Sequence, residues 1–188
     1  MFVMANADRE KWDARHAGTE PGSRTAPRWL DEVEPELPRE GRALDVACGT
    51  GRIAIWAHHR GLEVSAIDIS PVALEKVRAA APGIVTVERD LESDPRLPRG
   101  PFTLVTCFHY RQSSLWPAMK TVLAPGGLIV AELLTVTNLE RHEHPSRRWL
   151  CDPGELESWA RGLELVRSEE GWFEGRHSAR IVAKKVRR

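Results

Sequence analysis

The stretch of sequence that decides the fold is Ala43-Leu44-Asp45-Val46-Ala47-Cys48-Gly49-Thr50-Gly51-Arg52-Ile53-Ala54. It begins with a short apolar run, breaks at two glycines, and resumes with an apolar spacing that suits a helix. This order predicts a strand, a tight turn and the start of a helix, as in a nucleotide-type binding loop of an open α/β sheet. Gly49 and Gly51 permit positive φ angles and let a ligand approach the backbone without meeting a Cβ atom.

The loop departs from the two common phosphate-binding patterns. The dinucleotide pattern G-x-G-x-x-G lacks its third glycine, because Ala54 stands there, and the G-x-x-x-x-G-K loop is absent. Asp45 precedes the loop, and an acid there is expected to repel a pyrophosphate but to hold an ammonium group, directly or through water. The following helix N-terminus attracts a carboxylate. The methionine end of S-adenosylmethionine carries both groups.

The segment from Asp45 to Gly51 resembles the first motif, acid-x-G-x-G-x-G, of the class I S-adenosylmethionine-dependent methyltransferases. Ala47 replaces the first glycine of that motif, and Cys48 follows it. The general resemblance covers residues 40–135. Two flanking segments are similar to a narrower group, the small bacterial methyltransferases of tellurite-resistance and thiopurine type. These segments are Lys11-Trp12-Asp13-Ala14-Arg15 and Asp152-Pro153-Gly154-Glu155-Leu156.

Acidic residues at the ends of the next two predicted strands are suited to bind the ribose and the adenine of such a cofactor. Asp68 ends the second strand, where an acid accepts the vicinal hydroxyls of a ribose, and Ile69 is expected to pack against the adenine. Asp90 follows the third strand, where the resemblance implies an acid that accepts from the adenine amino group while the N–H of Leu91 meets the ring. Glu92 and Asp94 are the alternatives to Asp90.

The acceptor side is predicted at the carboxyl end of the fourth strand. There the resemblance places Cys107, Phe108 and His109 beside the reactive methyl group, although an ordinary core cysteine is the favoured interpretation of Cys107. We expect His109, Tyr110 and Arg111 to line the acceptor pocket. His109 is either a proton acceptor or a polar residue at the rim. Two polar segments are expected to close over the cofactor as lids: an N-terminal arm, residues 1–26, with Trp12 and Arg15, and an excursion after the fifth strand, from Arg141 to Trp149.

The chain alternates predicted strands and helices, which indicates an α/β fold with a Rossmann-like doubly wound sheet. We predict five parallel strands plus a C-terminal antiparallel hairpin strand, with the reversed strand at the edge. The parallel strands are Ala43–Ala47, Val64–Ile69, Ile84–Glu88, Phe102–Phe108 and Leu128–Leu134. The hairpin strands are Leu163–Ser168 and His177–Val186, preceded by a helix with Asp152 as its cap and Glu155 completing a capping box. Pro125-Gly126-Gly127 is predicted as the turn before the fifth strand. The helix after the second strand is predicted to begin with Ser70 as N-cap and Pro71 as its first residue, and its predicted apolar stripe is Val72, Leu74, Val77 and Ala81. The whole chain is expected to form one domain, in which residues 40–135 bind the cofactor and residues 136–188 form the acceptor side.

Composition narrows the function further. The 188 residues carry 27 basic and 27 acidic side chains, so neither nucleic acid nor an anionic membrane is an expected partner. No apolar run is long enough to span a bilayer, and three cysteines without a CxxC pair indicate a reduced, cytoplasmic protein. We expect a small-molecule acceptor and a monomer or homodimer. A non-catalytic cofactor-binding sensor or partner subunit and, less favoured, a nicotinamide-linked oxidoreductase remain the alternatives.

Histidine-rich segments do not predict a metal site. His58 and His59 fall in the last turn of a helix, where cations complement the helix dipole. His142, His144 and Cys151 have a better composition, but an H-x-H pair in a polar loop without further fixed ligands is a weak pattern. The expected cofactor is therefore S-adenosylmethionine alone.

Overall fold

The computed structural model of the chain describes residues 2–19 and 26–187. Six α-helices are formed by Phe2–Ala17 (α1), Arg28–Glu32 (α2), Arg52–His59 (α3), Pro71–Ala80 (α4), Trp116–Val122 (α5) and Glu155–Trp159 (α6). Seven strands are formed by Arg42–Val46 (β1), Glu63–Asp68 (β2), Val85–Glu88 (β3), Phe102–Phe108 (β4), Leu123–Leu134 (β5), Glu164–Phe173 (β6) and Arg176–Lys184 (β7). Short 3-10 helices cover Glu34–Glu36, Ser113–Leu115, Val136–Glu140 and Arg147–Trp149.

The strands form one sheet in the order β3-β2-β1-β4-β5-β7-β6. β1 to β5 pair in parallel, and β7 pairs antiparallel with both β5 and β6, which confirms the predicted fold class. β7 is the predicted reversed strand at the edge of the five-strand parallel core, and β6 adds one further strand beyond it. Most of β7 is buried, whereas every residue of β6 is half-buried or exposed.

Helices pack on both faces of the sheet over two separate apolar clusters. Trp29, Ile53 and Phe108 belong to the cluster under α2, α3 and α4. Cys107 and Trp116 belong to the cluster on the other face, under α5 and α6. Neighbouring residues of a strand point to opposite faces, so Cys107 and Phe108 enter different clusters.

Local signals fixed the start of α4 as predicted. The Ser70 hydroxyl accepts a hydrogen bond from the Ala73 N–H over 3.1 Å, and Pro71 is the first helical residue. The apolar stripe of α4 differs slightly from the prediction, since Ala73 is buried and Val72 is only half-buried.

Two predicted boundaries were wrong. α6 begins at Glu155 after Gly154, because only half of the expected capping box forms: Glu155 accepts from the Asp152 N–H at 2.8 Å, while the Asp152 carboxylate pairs with Arg147. β5 begins at Leu123 and includes the glycines predicted as a turn. A Cβ atom on Gly127 would lie 2.9 Å from the Phe102 carbonyl oxygen, so this glycine lets two strands approach closely.

Candidate active site

The loop after β1 has the backbone that the glycines predicted. The φ angle is +52° at Gly49 and +84° at Gly51, and a Cβ atom on Gly51 would lie 2.7 Å from Val77 Cγ2 on α4. Ala47 also has a positive φ, +54°, although it carries a side chain. The position where the family motif has glycine is therefore a left-handed one, which explains the preference and implies backbone strain at Ala47.

Asp45 lies under this loop and holds it in place through hydrogen bonds. Its side chain is buried, and its two oxygens accept hydrogen bonds from the Ala54 N–H at 3.0 Å and the Thr106 hydroxyl at 2.7 Å. Burial raises the pKa of Asp45 to about 7. The carboxylate thus joins β1, β4 and the first turn of α3, and its predicted contact with a ligand ammonium would add to these bonds.

Asp68 joins the end of β2 to the same loop. One carboxylate oxygen accepts from the Gly49 N–H at 2.7 Å and the other from the Ser70 N–H at 3.0 Å. The side chain is buried, which raises its pKa, and the His16 imidazole lies close enough to oppose that shift. The predicted ribose acid is therefore held rigidly beside the glycine loop, and Ile69 follows it half-buried.

The segment after β3 carries Asp90 and its two alternatives, Glu92 and Asp94. Asp94 is committed to Arg96, which lies 2.6 Å away and holds the pKa of that carboxyl down to about 2. Asp90 is half-buried and accepts from the Glu92 N–H at 3.0 Å. Leu91 is buried, and its carbonyl accepts from the Gln112 amide at 2.9 Å, which ties this segment to the one after β4.

The helix α1 lies over the site. The His16 ring packs on the glycine loop, so that its Cε1 atom would lie 3.3 Å from a Cβ atom on Gly49. Burial lowers the pKa of His16 and favours the neutral imidazole. Trp12 stacks on His16 with 5.8 Å between ring centroids, and the exposed Arg15 lies over the Trp12 ring at 5.3 Å.

Three groups of contacts hold α1 in this position. Lys76 on α4 donates to the carbonyls of His16, Ala17 and Thr19 at 2.6, 2.9 and 2.5 Å, and Ser70 bonds Asp13. Arg9 pairs with Glu88 at 3.2 Å. Trp149, from the excursion after β5, meets Trp12 edge-on at 6.4 Å. The two predicted lid segments therefore touch each other in the structure.

The residues after β4 have different surroundings. Burial raises the pKa of the Cys107 thiol to about 12, and Phe108 turns its ring to Trp29 on the opposite face. His109 is exposed, has a φ of +59°, and donates its N–H to the Glu132 carbonyl at 2.8 Å.

Tyr110 and Arg111 are both bonded to other side chains. The Tyr110 hydroxyl donates to Gln112 at 2.6 Å, and burial beside Glu92 raises the pKa of this phenol. Arg111 pairs with Glu155 at 2.7 Å, so it links this segment to α6. Of the three residues predicted on the acceptor side, His109 is the one whose side chain is exposed.

Sequence reasoning missed four residues that the fold brings to the site. His16, Lys76, Thr106 and Gln112 each reach it from another part of the chain, and no local spacing marks them. Cys48 was predicted and lies half-buried in the loop, where burial raises its pKa well above the usual range. Within residues 2–19 and 26–187, no three His, Cys, Asp or Glu side chains gather as a metal site would require.

Comparisons with known proteins connect this geometry to a family. Residues 43–127 match a family model described as a methyltransferase domain. A putative methyltransferase of Bacillus subtilis is 40% identical over 68 residues, which are 34% of this chain and 27% of that protein. A ubiquinone biosynthesis O-methyltransferase of Alkalilimnicola ehrlichii is 31% identical over 160 residues, covering 69% of this chain and 63% of that protein. The core of this chain, residues 43–127, is therefore similar to methyltransferase domains.

Solved structures share the fold of this methyltransferase domain. TehB from Haemophilus influenzae superimposes with a TM-score of 0.70 and 16% identity, over 85% of this chain and 62% of that one. An S-adenosylmethionine-dependent methyltransferase from Mesorhizobium loti superimposes with a TM-score of 0.67 and 22% identity, over 85% of this chain and 98% of that one. The match to a methyltransferase domain supports S-adenosylmethionine as the cofactor. The chain spans 27% and 63% of the two curated relatives.

The residues present fit that cofactor. Two positive-φ glycines keep side chains off the loop backbone, on which the His16 ring packs at Gly49, and a buried acid stands beside it at the end of β2. Asp90 follows at the end of the neighbouring strand. No helix in the described part of the chain has the length and apolar character needed to cross a membrane.

Proposed function

We propose that this protein transfers the methyl group of S-adenosylmethionine to a small-molecule acceptor. The single observation that carries the proposal is the hydrogen bond between Asp68 and the Gly49 N–H, which builds the predicted ribose acid and the glycine loop into one rigid site. The family match over residues 43–127 supports the same reaction class. The sulfonium of the bound cofactor would supply an electrophilic methyl group.

The chain's own residues bind and orient the two reactants. Asp68 accepts the ribose hydroxyls, Asp90 accepts from the adenine amino group, and the N-terminus of α3 with Gly49 and Gly51 receives the carboxylate end. Trp12 and Arg15 cover the cofactor from α1. Alignment of a nucleophile with the methyl group supplies much of such a rate enhancement, up to about 7–11 kcal/mol in ideal geometry.

Proton handling falls to His109 in this proposal. The thiol of Cys107 keeps its proton, because burial places its pKa at about 12, and the raised pKa of Tyr110 keeps this phenol protonated at neutral pH, so that it is not available as a base. His109 is exposed beside the end of β4 and accepts a proton from an acceptor that arrives protonated. A thiolate acceptor needs no base at all.

A small acceptor in a reducing, cytoplasmic setting agrees with three further observations. The helix α1 and Trp149 meet through the edge-on contact of Trp12 with Trp149, so the two predicted lid segments form one cover. The chain carries no net charge, and its three cysteines are free. We infer that residues 1–26 act as a lid on a single domain that works as a monomer or homodimer.

The decisive experiment measures cofactor binding and turnover separately. Calorimetry should show binding of S-adenosylhomocysteine and no binding of NAD, and a panel of phenols, thiols, amines and metalloid oxyanions should reveal acceptor-dependent formation of S-adenosylhomocysteine. Deleting residues 1–20 should weaken both binding and turnover, since the lid residues are lost. Binding of NAD instead would overturn the proposal. Cofactor binding without turnover on any acceptor would identify a sensor or partner subunit.

A further inference from the structure

A row of three side chains crosses the carboxyl edge of the sheet next to the acceptor side. Phe108 on β4 is paired in register with Glu132 on β5, which is paired with Arg180 on β7. Glu132 and Arg180 are both buried and lie 3.1 Å apart. Because the N–H of His109 bonds the Glu132 carbonyl, the backbone of the proposed base is fixed to the middle of this row.

A cavity of about 730 Å³ opens over the Arg180 end of this row. Its lining comes from α2, β7 and the tip of the β6–β7 hairpin, and consists of Arg28, Trp29, Asp31, Glu32, Trp172, Phe173, Glu174 and Arg180. Arg180 is buried at its base, aromatic rings form its walls, and the remaining charged side chains are exposed at its rim. A volume of this size suits one small organic ligand.

Arg180 offers hydrogen-bond donors to this cavity. Its Nε atom donates to Glu132, and within residues 2–19 and 26–187 its two terminal nitrogens have no hydrogen-bond partner. These two nitrogens are not fully buried, so they are accessible from the cavity that Arg180 lines. Two terminal guanidinium nitrogens form a planar fork that binds a carboxylate through two parallel hydrogen bonds.

The walls add a preference for a flat apolar group. The Arg180 guanidinium lies 5.5 Å from the centroid of the Trp29 ring and 3.9 Å from that of Phe173. Arg141 lies over the Trp172 ring at 3.8 Å and holds that wall in place. Trp29 also has a buried indole N–H with no partner in the described part of the chain.

We propose that this cavity binds a planar aromatic carboxylic acid, with its carboxylate on the terminal nitrogens of Arg180 and its ring between the aromatic walls, and that such an acid is the methyl acceptor. The assignment as acceptor rests on the proposed function. The exposed acids Asp31, Glu32 and Glu174 surround the mouth together with Arg28, where solvent screens their charges, whereas the terminal nitrogens of Arg180 lie at the sheltered base.

Methyl transfer to such an acid requires no reactant beyond S-adenosylmethionine, the acid and a proton acceptor. A lone pair on a ring hydroxyl of the acid forms the new C–O bond as the methyl C–S bond breaks and its electron pair returns to sulfur. The sulfonium becomes a neutral thioether, and the hydroxyl proton passes to His109 or to solvent.

The binding half is tested by calorimetry of the full chain with three matched probes. Benzoate should bind roughly tenfold or more tightly than benzamide, which has the same shape without the charge, and benzylamine should not bind. Arg180→Lys keeps the ion pair with Glu132 but loses the planar fork, so benzoate affinity should fall by roughly tenfold. Arg176→Lys, an exposed change on the same hairpin, should bind benzoate like the original protein.

A second variant keeps the test decisive if Arg180→Lys does not fold. Trp172→Ala removes a half-buried wall of the hairpin tip and should also weaken benzoate binding without unfolding the sheet. Equal binding of benzoate and benzamide, tighter binding of benzylamine, or unchanged benzoate affinity in both folded variants would overturn the proposed ligand class.

Turnover assays test the assignment of the acid as methyl acceptor separately from its binding in the cavity. With hydroxybenzoate isomers, S-adenosylhomocysteine should form, and the KM for the acid should rise in Arg180→Lys while cofactor affinity stays the same. Benzoate binding without turnover of any isomer would overturn the acceptor assignment. If S-adenosylhomocysteine binds and benzoate does not, this inference fails and the proposed function stands. If benzoate binds and S-adenosylhomocysteine does not, the proposed function fails.

Discussion

The Oδ2 atom of Asp68 accepts a hydrogen bond from the backbone N–H of Gly49 over 2.7 Å, and this bond fixes the end of β2 to the loop after β1. The same carboxylate is predicted to accept the ribose hydroxyls of the cofactor. We expect Asp68→Asn to weaken S-adenosylhomocysteine binding by about 1.5–3 kcal/mol, because hydrogen bonds to a charged acceptor are lost. Calorimetry measures this change, and Glu40→Gln, an exposed acid elsewhere, serves as the control. Unchanged affinity in Asp68→Asn would refute the ribose assignment.

Gly49→Val should abolish cofactor binding while the fold survives. A branched side chain at a φ of +52° is strained by about 1–2 kcal/mol, and its Cβ atom would press on the His16 ring at 3.3 Å. Gly162→Val is a matched control, because it has a positive φ of +88° but meets no atom within 4 Å. Calorimetry with S-adenosylhomocysteine and urea unfolding should show equal strain in both variants and lost binding only in Gly49→Val. Normal binding in that variant would mean that the loop does not face the ligand.

Ala47→Gly should make the protein more stable. The left-handed backbone at Ala47 costs about 1–2 kcal/mol, and glycine would relieve this strain. Because glycine also makes the unfolded chain more flexible, part of the benefit is lost, and we expect the free energy of unfolding to rise by about 0.5–1 kcal/mol. The free energy of unfolding in urea measures it. Ala54→Gly, inside α3, should lower stability instead. A loss of stability in Ala47→Gly would show that the strain is absent.

The buried Asp45 makes stability depend on pH. Its pKa is raised to about 7 in the folded protein and is near 4 in the unfolded chain, so the folded state binds more protons between these values. Stability should therefore decrease as the pH rises through this window. Between pH 5.5 and 7.5 the contribution is about 2 kcal/mol, at 1.36 kcal/mol per pH unit.

Asp45→Asn isolates this contribution from that of other titrating groups. Urea unfolding of both proteins at pH 5.5, 6.5 and 7.5 gives the difference in slope, and the variant should lose the fall in stability that Asp45 causes. The Asn side chain still reaches Thr106 and Ala54. Identical pH slopes in the two proteins would contradict a raised pKa at this position.

Lys76→Met should release α1 from the site. Its ammonium donates to three carbonyls at the end of α1, and losing them should lower the local stability of the helix by about 1.5–3 kcal/mol. Limited proteolysis and amide exchange should show faster attack on α1, with little change in the strands. Lys184→Met, at the end of β7, tests for a general loss of lysine charge. Unchanged protection of α1 would show that other contacts hold the lid.

The sequence alone determined the parts of this protein that depend on neighbouring residues. The strand, turn and helix from Ala43 onward, and the cap at Ser70 followed by Pro71, were predicted because backbone sterics and local hydrogen bonds act over a few residues. Alternating apolar segments likewise predicted the parallel sheet and its C-terminal hairpin. The periodicity did not predict which hairpin strand is central, because both strands carry apolar residues.

Only the tertiary structure decided which distant side chains meet. It placed His16 against Gly49, Lys76 under the end of α1, and Arg180 beside Glu132 and Trp29. Such contacts join residues that are far apart in the chain, and they follow from strand register and helix packing rather than from any local pattern. The cofactor loop could therefore be predicted from the sequence, whereas the contacts of the lid and the cavity lined by Arg180 could be identified only in the assembled structure.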